Sequence, residues 1–79
     1  GRYKVDDVIQ EEREDCYLAT LHIKDASATD SRAYYLAVEN DRGTDRHAVQ
    51  LYVNGECFQI FNWNVLIGYY CVIDFYGNY

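Results

Sequence analysis

Methionine and proline are both absent from this 79-residue sequence, and basic residues are few. Because translation begins with methionine, Gly1 indicates a fragment or a processed product. The first ten residues lack the apolar core of a signal peptide. A chain of this length forms one small domain at most, and its hydrophobic content of 49% argues against disorder.

The shortage of basic residues limits the partners that the chain can bind. The net charge is −6, all seven Lys and Arg residues precede Val53, and only Glu56 and Asp74 are charged after it. Phosphate backbones and anionic membranes are both bound through clustered Lys and Arg. We therefore expect no nucleic-acid partner, and contact with a membrane only through other parts of a parent protein.

Cysteine is scarce, and its spacing excludes the common motifs. Cys16, Cys57 and Cys71 form no C-x-x-C pair, and both histidines lie far from any cysteine pair, so the sequence has no zinc or redox motif. Since three is an odd number, one thiol must remain reduced or pair outside the chain, and the pairing stays open. Cys16 and His22 would lie roughly 20 Å apart along a strand, too far for a catalytic pair. We expect no enzyme activity, cofactor or metal.

Long apolar runs are missing as well. The longest uncharged segment covers residues 57–73, but amides interrupt it, and its apolar part, residues 65–73, has nine residues. A bilayer-spanning helix needs about 20. Residues 54–79 are nevertheless aromatic and nearly uncharged, which sets them apart. We interpret them as an apolar tail of uncertain structure, typical of an alternative or read-through segment.

An acidic run lies near the start of the chain. Its carboxylates belong to Asp6, Asp7, Glu11, Glu12, Glu14 and Asp15. Clustered carboxylates suit Ca²⁺, but the order of an EF-hand and its central glycine are missing. A solvated loop between strands, a short helix and a calcium-binding loop are the alternatives for this run.

Apolar and polar residues alternate with a period of two in the middle of the chain. This alternation predicts three strands within residues 17–53, because successive side chains on a strand face opposite sides. A turn signal that ends in Gly43 separates the last two, which predicts an antiparallel hairpin of residues 34–39 and 47–53. The same alternation predicts a buried Tyr34 and an exposed Tyr35.

A longer spacing pattern extends across residues 21–43. It reads Leu21-x-Ile23-x-x-Ala26-x-x-x-Asp30-Ser31-x-x-Tyr34-x-Leu36-x-Val38-x-Asn40-x-x-Gly43. This pattern resembles strands E, F and G of an intermediate-set immunoglobulin domain, and Arg2-Tyr3-Lys4-Val5 resembles strand D. The predicted fold is therefore all-β: a partial immunoglobulin-like β-sandwich of strands D, E, F and G in residues 1–53, followed by the apolar tail of residues 54–79.

The resemblance implies structural roles for the matching residues. The motif consists of Asp30, Tyr34, Leu36, Asn40 and Gly43. Tyr34 would be the tyrosine corner, and Asp30 would accept backbone N–H groups and pair with Arg2. Leu36 replaces the family's cysteine on strand F, which removes the usual inter-sheet disulfide but fills the same core position. Strands A, B and C lie outside the pattern, so we expect uncovered apolar faces and poor behaviour of the isolated chain.

The resemblance also implies a function. It implies extracellular protein recognition by a cell-surface or secreted adhesion module, similar to the insect fasciclin III-like adhesion proteins. The partner would be another cell-surface protein, including a second copy in homophilic adhesion. The predicted contact residues are Tyr35, Glu39, Asp41, Arg42 and His47. Calcium binding by the acidic loop and a purely structural fragment without binding activity of its own are the alternative functions.

Overall fold

Strands dominate the computed structural model, which describes residues 1–6, 9–10 and 16–79. The elements are β1 (Tyr3–Val5), β2 (Ile9–Gln10), β3 (Cys16–Ala26), a 3₁₀ helix (Ala28–Asp30), β4 (Ala33–Asn40), β5 (Gly43–Gln50), α1 (Val53–Glu56), β6 (Phe58–Asn62) and β7 (Val65–Asn78). All pairings between these strands are antiparallel. The prediction of an all-β chain is confirmed.

The described strands form two sheets. In the larger sheet β1 and β2 both pair with β3, β3 pairs with β7, and β7 pairs with β6, whereas the smaller sheet consists of β4 and β5. The inward side chains of both sheets meet residues from the segment after β5. The resulting core contains Ala19, Ile23, Ala26, Tyr34, Leu51, Val53, Cys71, Ile73 and Phe75.

The predicted hairpin around Gly43 is present, but its second strand has different bounds. β4 pairs with β5 along its whole length, and β5 ends at Gln50. The strand predicted for residues 47–53 therefore begins and ends earlier. The physical reason is that Leu51 and Val53, which are 2% and 0% exposed, leave the sheet to fill the core, and Val53 starts α1.

Asn40 and Gly43 form the turn of this hairpin. The Asn40 side-chain oxygen accepts hydrogen bonds from the backbone N–H groups of Arg42 and Gly43 at 2.8 and 3.1 Å. Gly43 has a φ of +156°, a value that a residue without a Cβ adopts at little cost. Both motif residues therefore have the turn role that the sequence predicted.

The C-terminal segment belongs to the larger sheet. β7 pairs with β3 from Cys16↔Asn78 to Ala26↔Tyr69, and its residues Ile73 and Phe75 are 5% and 3% exposed. The boundary expected after Val53 therefore does not separate two structural units. Ile73 and Phe75 share one core with Ile23 of β3 and Tyr34 of β4, on faces that the sequence left uncovered.

A polar cluster of Tyr17, Asp45, His47, Gly77 and Tyr79 joins the two sheets at one end. The Tyr17 hydroxyl donates to Asp45 Oδ2 at 2.6 Å, and His47 Nε2 lies 3.2 Å from the same oxygen. A Cβ at Gly77 would come within 2.5 Å of that oxygen, so a larger residue there would displace the side-chain ends of the cluster. Burial raises the pKa of Tyr17, and the hydrogen bond from Tyr17 lowers the pKa of Asp45. Tyr17 is therefore a neutral donor to an ionised carboxylate, and this bond ties β3 to β5.

Candidate interaction surface

Two residues of the predicted motif, Asp30 and Tyr34, meet where β3 leads into β4. The Tyr34 hydroxyl donates to the backbone oxygen of Asp30 at 2.8 Å. The Asp30 carboxylate accepts the Ser27 N–H at 2.8 Å, the Tyr3 hydroxyl at 3.1 Å and the Arg2 guanidinium. Asp30 is only 6% exposed, so its oxygens are occupied inside the protein and this group builds the fold.

Opposing influences set the pKa values in this group. Burial raises the pKa of Asp30, but the hydrogen bonds from Ser27 and Tyr3 and the charge of Arg2 outweigh it and hold that pKa below its ordinary 3.8. Burial, together with its contact to Tyr3, raises the pKa of Tyr34 to about 12. Neither group changes its protonation near neutral pH, which fits a structural role.

The burial predictions for β4 are confirmed. Tyr34 is 6% exposed and Tyr35 is 80% exposed. Leu36 is half-buried and packs against the core, in the position where the resemblance has cysteine. The register of β4 is therefore the predicted one.

The residues predicted to contact a partner do not share one face. Tyr35 and Glu39 point outward from the smaller sheet, and Asp41 and Arg42 lie exposed in the turn at its end. The outward position expected for His47 is wrong. The alternation of side chains along β5 puts His47 on the inward face, in the polar cluster, with its side chain 40% exposed.

Sequence reasoning missed Arg46, the outward neighbour of His47. Arg46 is exposed and pairs with Ala37, between the rows of Tyr35 and Glu39. The period of two that placed Val49 inward predicts this position, because residues 46 and 49 must face opposite sides of β5. The outer face of the smaller sheet is thus a small mixed patch of one aromatic ring and charges of both signs.

A larger surface lies on the β6–β7 hairpin, which we call the apolar ribbon (residues 58–67). All five residues of β6 and the first three of β7 are exposed. Its exposed apolar side chains are Phe58, Ile60, Phe61, Trp63, Val65, Leu66 and Ile67. β3 ends at Ala26, which pairs with Tyr69, so within the described residues the ribbon extends beyond β3. No charged residue occurs from position 57 to 73.

A disulfide between Cys57 and Cys71 fixes the base of the ribbon, which answers the pairing that the sequence left open. The Cα atoms are 4.6 Å apart, and Cys71 is fully buried in the core. The third cysteine, Cys16, donates from its thiol to Asn78 Oδ1 at 3.0 Å. The Cys57–Cys71 disulfide thus links the start of β6 to the point where β7 enters the core.

The tip of the ribbon has a strained conformation. Trp63 and Asn64 have φ values of 53° and 64°, and the flanking Asn62 and Val65 pair with each other. Such a turn favours Asn or Gly at both central positions, and the left-handed conformation costs other residues about 1–2 kcal/mol. Trp63 is also 91% exposed. A Trp in the turn is no hairpin signal, which is why the sequence predicted no strands here.

A polar chain crosses the outer face of the larger sheet. His22 Nδ1 lies 2.6 Å from the Tyr70 hydroxyl, and His22 Nε2 lies 2.9 Å from Asp6 Oδ2. These bonds connect three neighbouring parts of the sheet. Among residues 1–6, 9–10 and 16–79, no group of three His, Cys, Asp or Glu side chains could hold a metal ion. Apart from Asp6, the acidic run considered for calcium lies outside the described residues.

No helix in the described part of the chain is long and apolar enough to cross a membrane. Comparison with family models, curated proteins and solved structures finds no significant match.

Proposed function

We propose that the chain is a recognition module of an extracellular adhesion or receptor protein, built on an immunoglobulin-like sandwich. Its partner is another cell-surface protein. Three features support the proposal: the order of the strands, the local contacts (the tyrosine corner and the Cys57–Cys71 disulfide), and the exposed apolar ribbon.

The strand order supports an immunoglobulin-like architecture. Immunoglobulin domains have the sheet order A-B-E-D opposite C-F-G. β1 and β3 match strands D and E, and the hairpin of β4 and β5 matches F and G. β7 lies beside β3 where strand B would be, and β6 follows where strand A would be. The chain would then hold this sheet in a permuted order, with the A and B positions filled from its C-terminal end.

The local contacts support the same architecture. The hydrogen bond from Tyr34 to the Asp30 backbone is the contact that defines a tyrosine corner. The resemblance also places an Arg at the start of strand D on this aspartate, and Arg2 donates to Asp30. The Cys57–Cys71 disulfide supports an oxidising, extracellular compartment.

The apolar ribbon is the observation that carries the function. Soluble monomers rarely expose contiguous apolar patches above about 300–600 Å², and larger ones mark interaction sites. The apolar ribbon places seven such side chains in one hairpin. The absence of charge along it excludes recognition by ion pairs and favours a partner with an apolar surface.

Cell binding tests the proposal. The folded, oxidised chain is biotinylated, assembled on fluorescent streptavidin and applied to a panel of cultured cells, because multivalency raises weak affinities into the measurable range. We expect saturable binding that is lost after the cell surfaces are digested with trypsin. A chain with Ile60→Lys in the ribbon should bind less than the parent chain. Binding that persists on digested cells, or binding to no cell type, contradicts the proposal.

A further inference from the structure

We propose that the apolar ribbon binds a second copy of the same chain, through antiparallel pairing of the two β6 strands about a two-fold axis. This inference rests on the proposed function and names its partner. Four properties of the ribbon carry it: its open edge, its charge, its area and the strained Trp63.

The open edge lies along β6. β6 is the last strand in the order of the larger sheet, and within the described residues it pairs only with β7. Edge strands are commonly protected by Lys, Pro or an inward-pointing charge. The sequence of β6, FQIFN, contains none of these. Its outer backbone groups therefore offer a template for another strand.

Two-fold symmetry selects the form of the pairing. A two-fold axis makes each copy present the same patch, and two identical edge strands related in this way run antiparallel. With the axis near Ile60, the middle residue of β6, Phe58 of each copy lies opposite Asn62 of the other. The tip of each ribbon then contacts the base of its partner, and the two larger sheets form one continuous sheet.

The charge distribution leaves the ribbon as the face at which a second copy can bind. Each chain carries a net charge of −6, so most faces repel a second copy. When two copies meet at the uncharged ribbon, the negative charges of one copy lie away from those of the other. At physiological salt, the repulsion between such exposed charges is largely screened beyond about 8 Å. A lipid bilayer would also cover apolar side chains, but open sheet edges do not occur in the hydrocarbon region. The β6 strand of a second copy pairs with the open backbone groups of this edge and covers apolar side chains of the ribbon at the same time.

The exposed apolar area of the ribbon is similar in size to that of a standard interface. The seven apolar side chains of the ribbon are between 40% and 91% exposed. With about 150–250 Å² for a whole aromatic side chain, they offer roughly 800 Å² together. A standard interface buries about 800 Å² on each partner.

Trp63 supplies the anchor. Its positive φ destabilises the turn, and its side chain is 91% exposed. A strained backbone at an exposed aromatic residue does not stabilise the isolated chain. In protein interfaces, by contrast, buried Trp residues are common among the few residues that dominate affinity. In the symmetric pairing, Trp63 lies at the base of the partner's ribbon, opposite Cys57.

Sedimentation equilibrium of the oxidised chain, from about 1 to about 200 µM, tests the inference. Three variants separate the ribbon from the rest of the protein. Trp63→Asn with Asn64→Gly removes the anchor and installs the most favourable turn. Ile60→Lys places two like charges at the axis. Tyr35→Lys is the matched control, since it adds the same charge to the edge strand of the other sheet.

We expect a concentration-dependent dimer of the parent chain, with its Kd raised at least about tenfold by each ribbon variant and unchanged by the control. Circular dichroism should show the turn variant folded and at least as stable as the parent monomer, so it decides the question even if Ile60→Lys does not fold. A monomer at all concentrations overturns the inference. So does a dimer that ignores the ribbon variants, one that Tyr35→Lys weakens equally, or open-ended association.

The cell-binding experiment keeps the two proposals distinguishable. A chain that stays monomeric yet binds protease-sensitive sites on cells contradicts the ribbon dimer and leaves the recognition function in place. A ribbon-dependent dimer that binds no cell type supports the pairing and removes the recognition function. Failure of both assays rejects both.

Discussion

Phe75 offers the sharpest test of whether the C-terminal segment stabilises the fold. Phe75 is 3% exposed and faces the core, whereas its neighbour Tyr76 is 62% exposed on the opposite face of β7. Phe75→Ala removes a buried ring and leaves a cavity, which costs about 3–5 kcal/mol. Tyr76→Ala removes a ring of similar size from solvent and should cost less than about 1 kcal/mol.

The cost expected for Phe75→Ala is large beside the total free energy of unfolding. A chain of this length has an unfolding free energy of roughly 4–12 kcal/mol, so Phe75→Ala should remove a substantial part of it. In thermal denaturation followed by circular dichroism, the midpoint should fall by at least about 12 °C, with about 4–8 °C for each kcal/mol. Similar losses in both variants, or a loss below about 1 kcal/mol for Phe75→Ala, would refute the placement of β7 in the core.

Three further predictions concern single contacts. Tyr34→Phe removes the hydroxyl bond to the backbone of Asp30 and should cost about 1 kcal/mol in urea denaturation; Tyr35→Phe, on the exposed face, should cost nothing. Because the folded pKa of Asp30 lies below the unfolded 3.8, its contribution is complete above about pH 5 and is lost as pH falls through the folded value. Asp30→Asn should therefore flatten the acid side of the stability–pH profile, and an unchanged profile would contradict this assignment. Reduction of Cys57–Cys71, separated by 14 positions, should lower the unfolding free energy by about 3 kcal/mol; no difference with dithiothreitol would contradict a stabilising bond.

Local patterns were sufficient to predict β4 and its turn. Tyr34 and Tyr35 alternate between core and solvent as the period of two requires, and Asn40 and Gly43 are residues that turns select for backbone reasons. The role of Asp30 was implied by the resemblance, in which a short carboxylate at this corner accepts backbone N–H groups. Each of these signals depends on residues close in sequence, which is why spacing alone was informative.

The role of the C-terminal strands could not be predicted in the same way. β7 pairs with β3 across sequence separations that run from 62 positions at Cys16↔Asn78 to 43 positions at Ala26↔Tyr69, and no local pattern encodes a partner so distant. The β6–β7 hairpin could not be predicted from sequence, because its turn has Trp63 at a central position where hairpin turns prefer Asn, Asp or Gly. The inward position of His47 followed from the alternation that placed Val49 in the core, so that residue was within reach of sequence reasoning.

The continuity of β7 connects the stability of the fold to the properties of the ribbon. Residues 71–78 pair with β3 in the body of the protein, while residues 65–68 pair only with β6 among the described residues. An isolated two-stranded hairpin is marginally stable in water, but this one continues a core strand and is closed at its base by Cys57–Cys71. A binding surface held in this way loses little conformational freedom when a partner binds, so more of its contact energy remains as affinity. The same strand that completes the core therefore also fixes the conformation of the apolar ribbon.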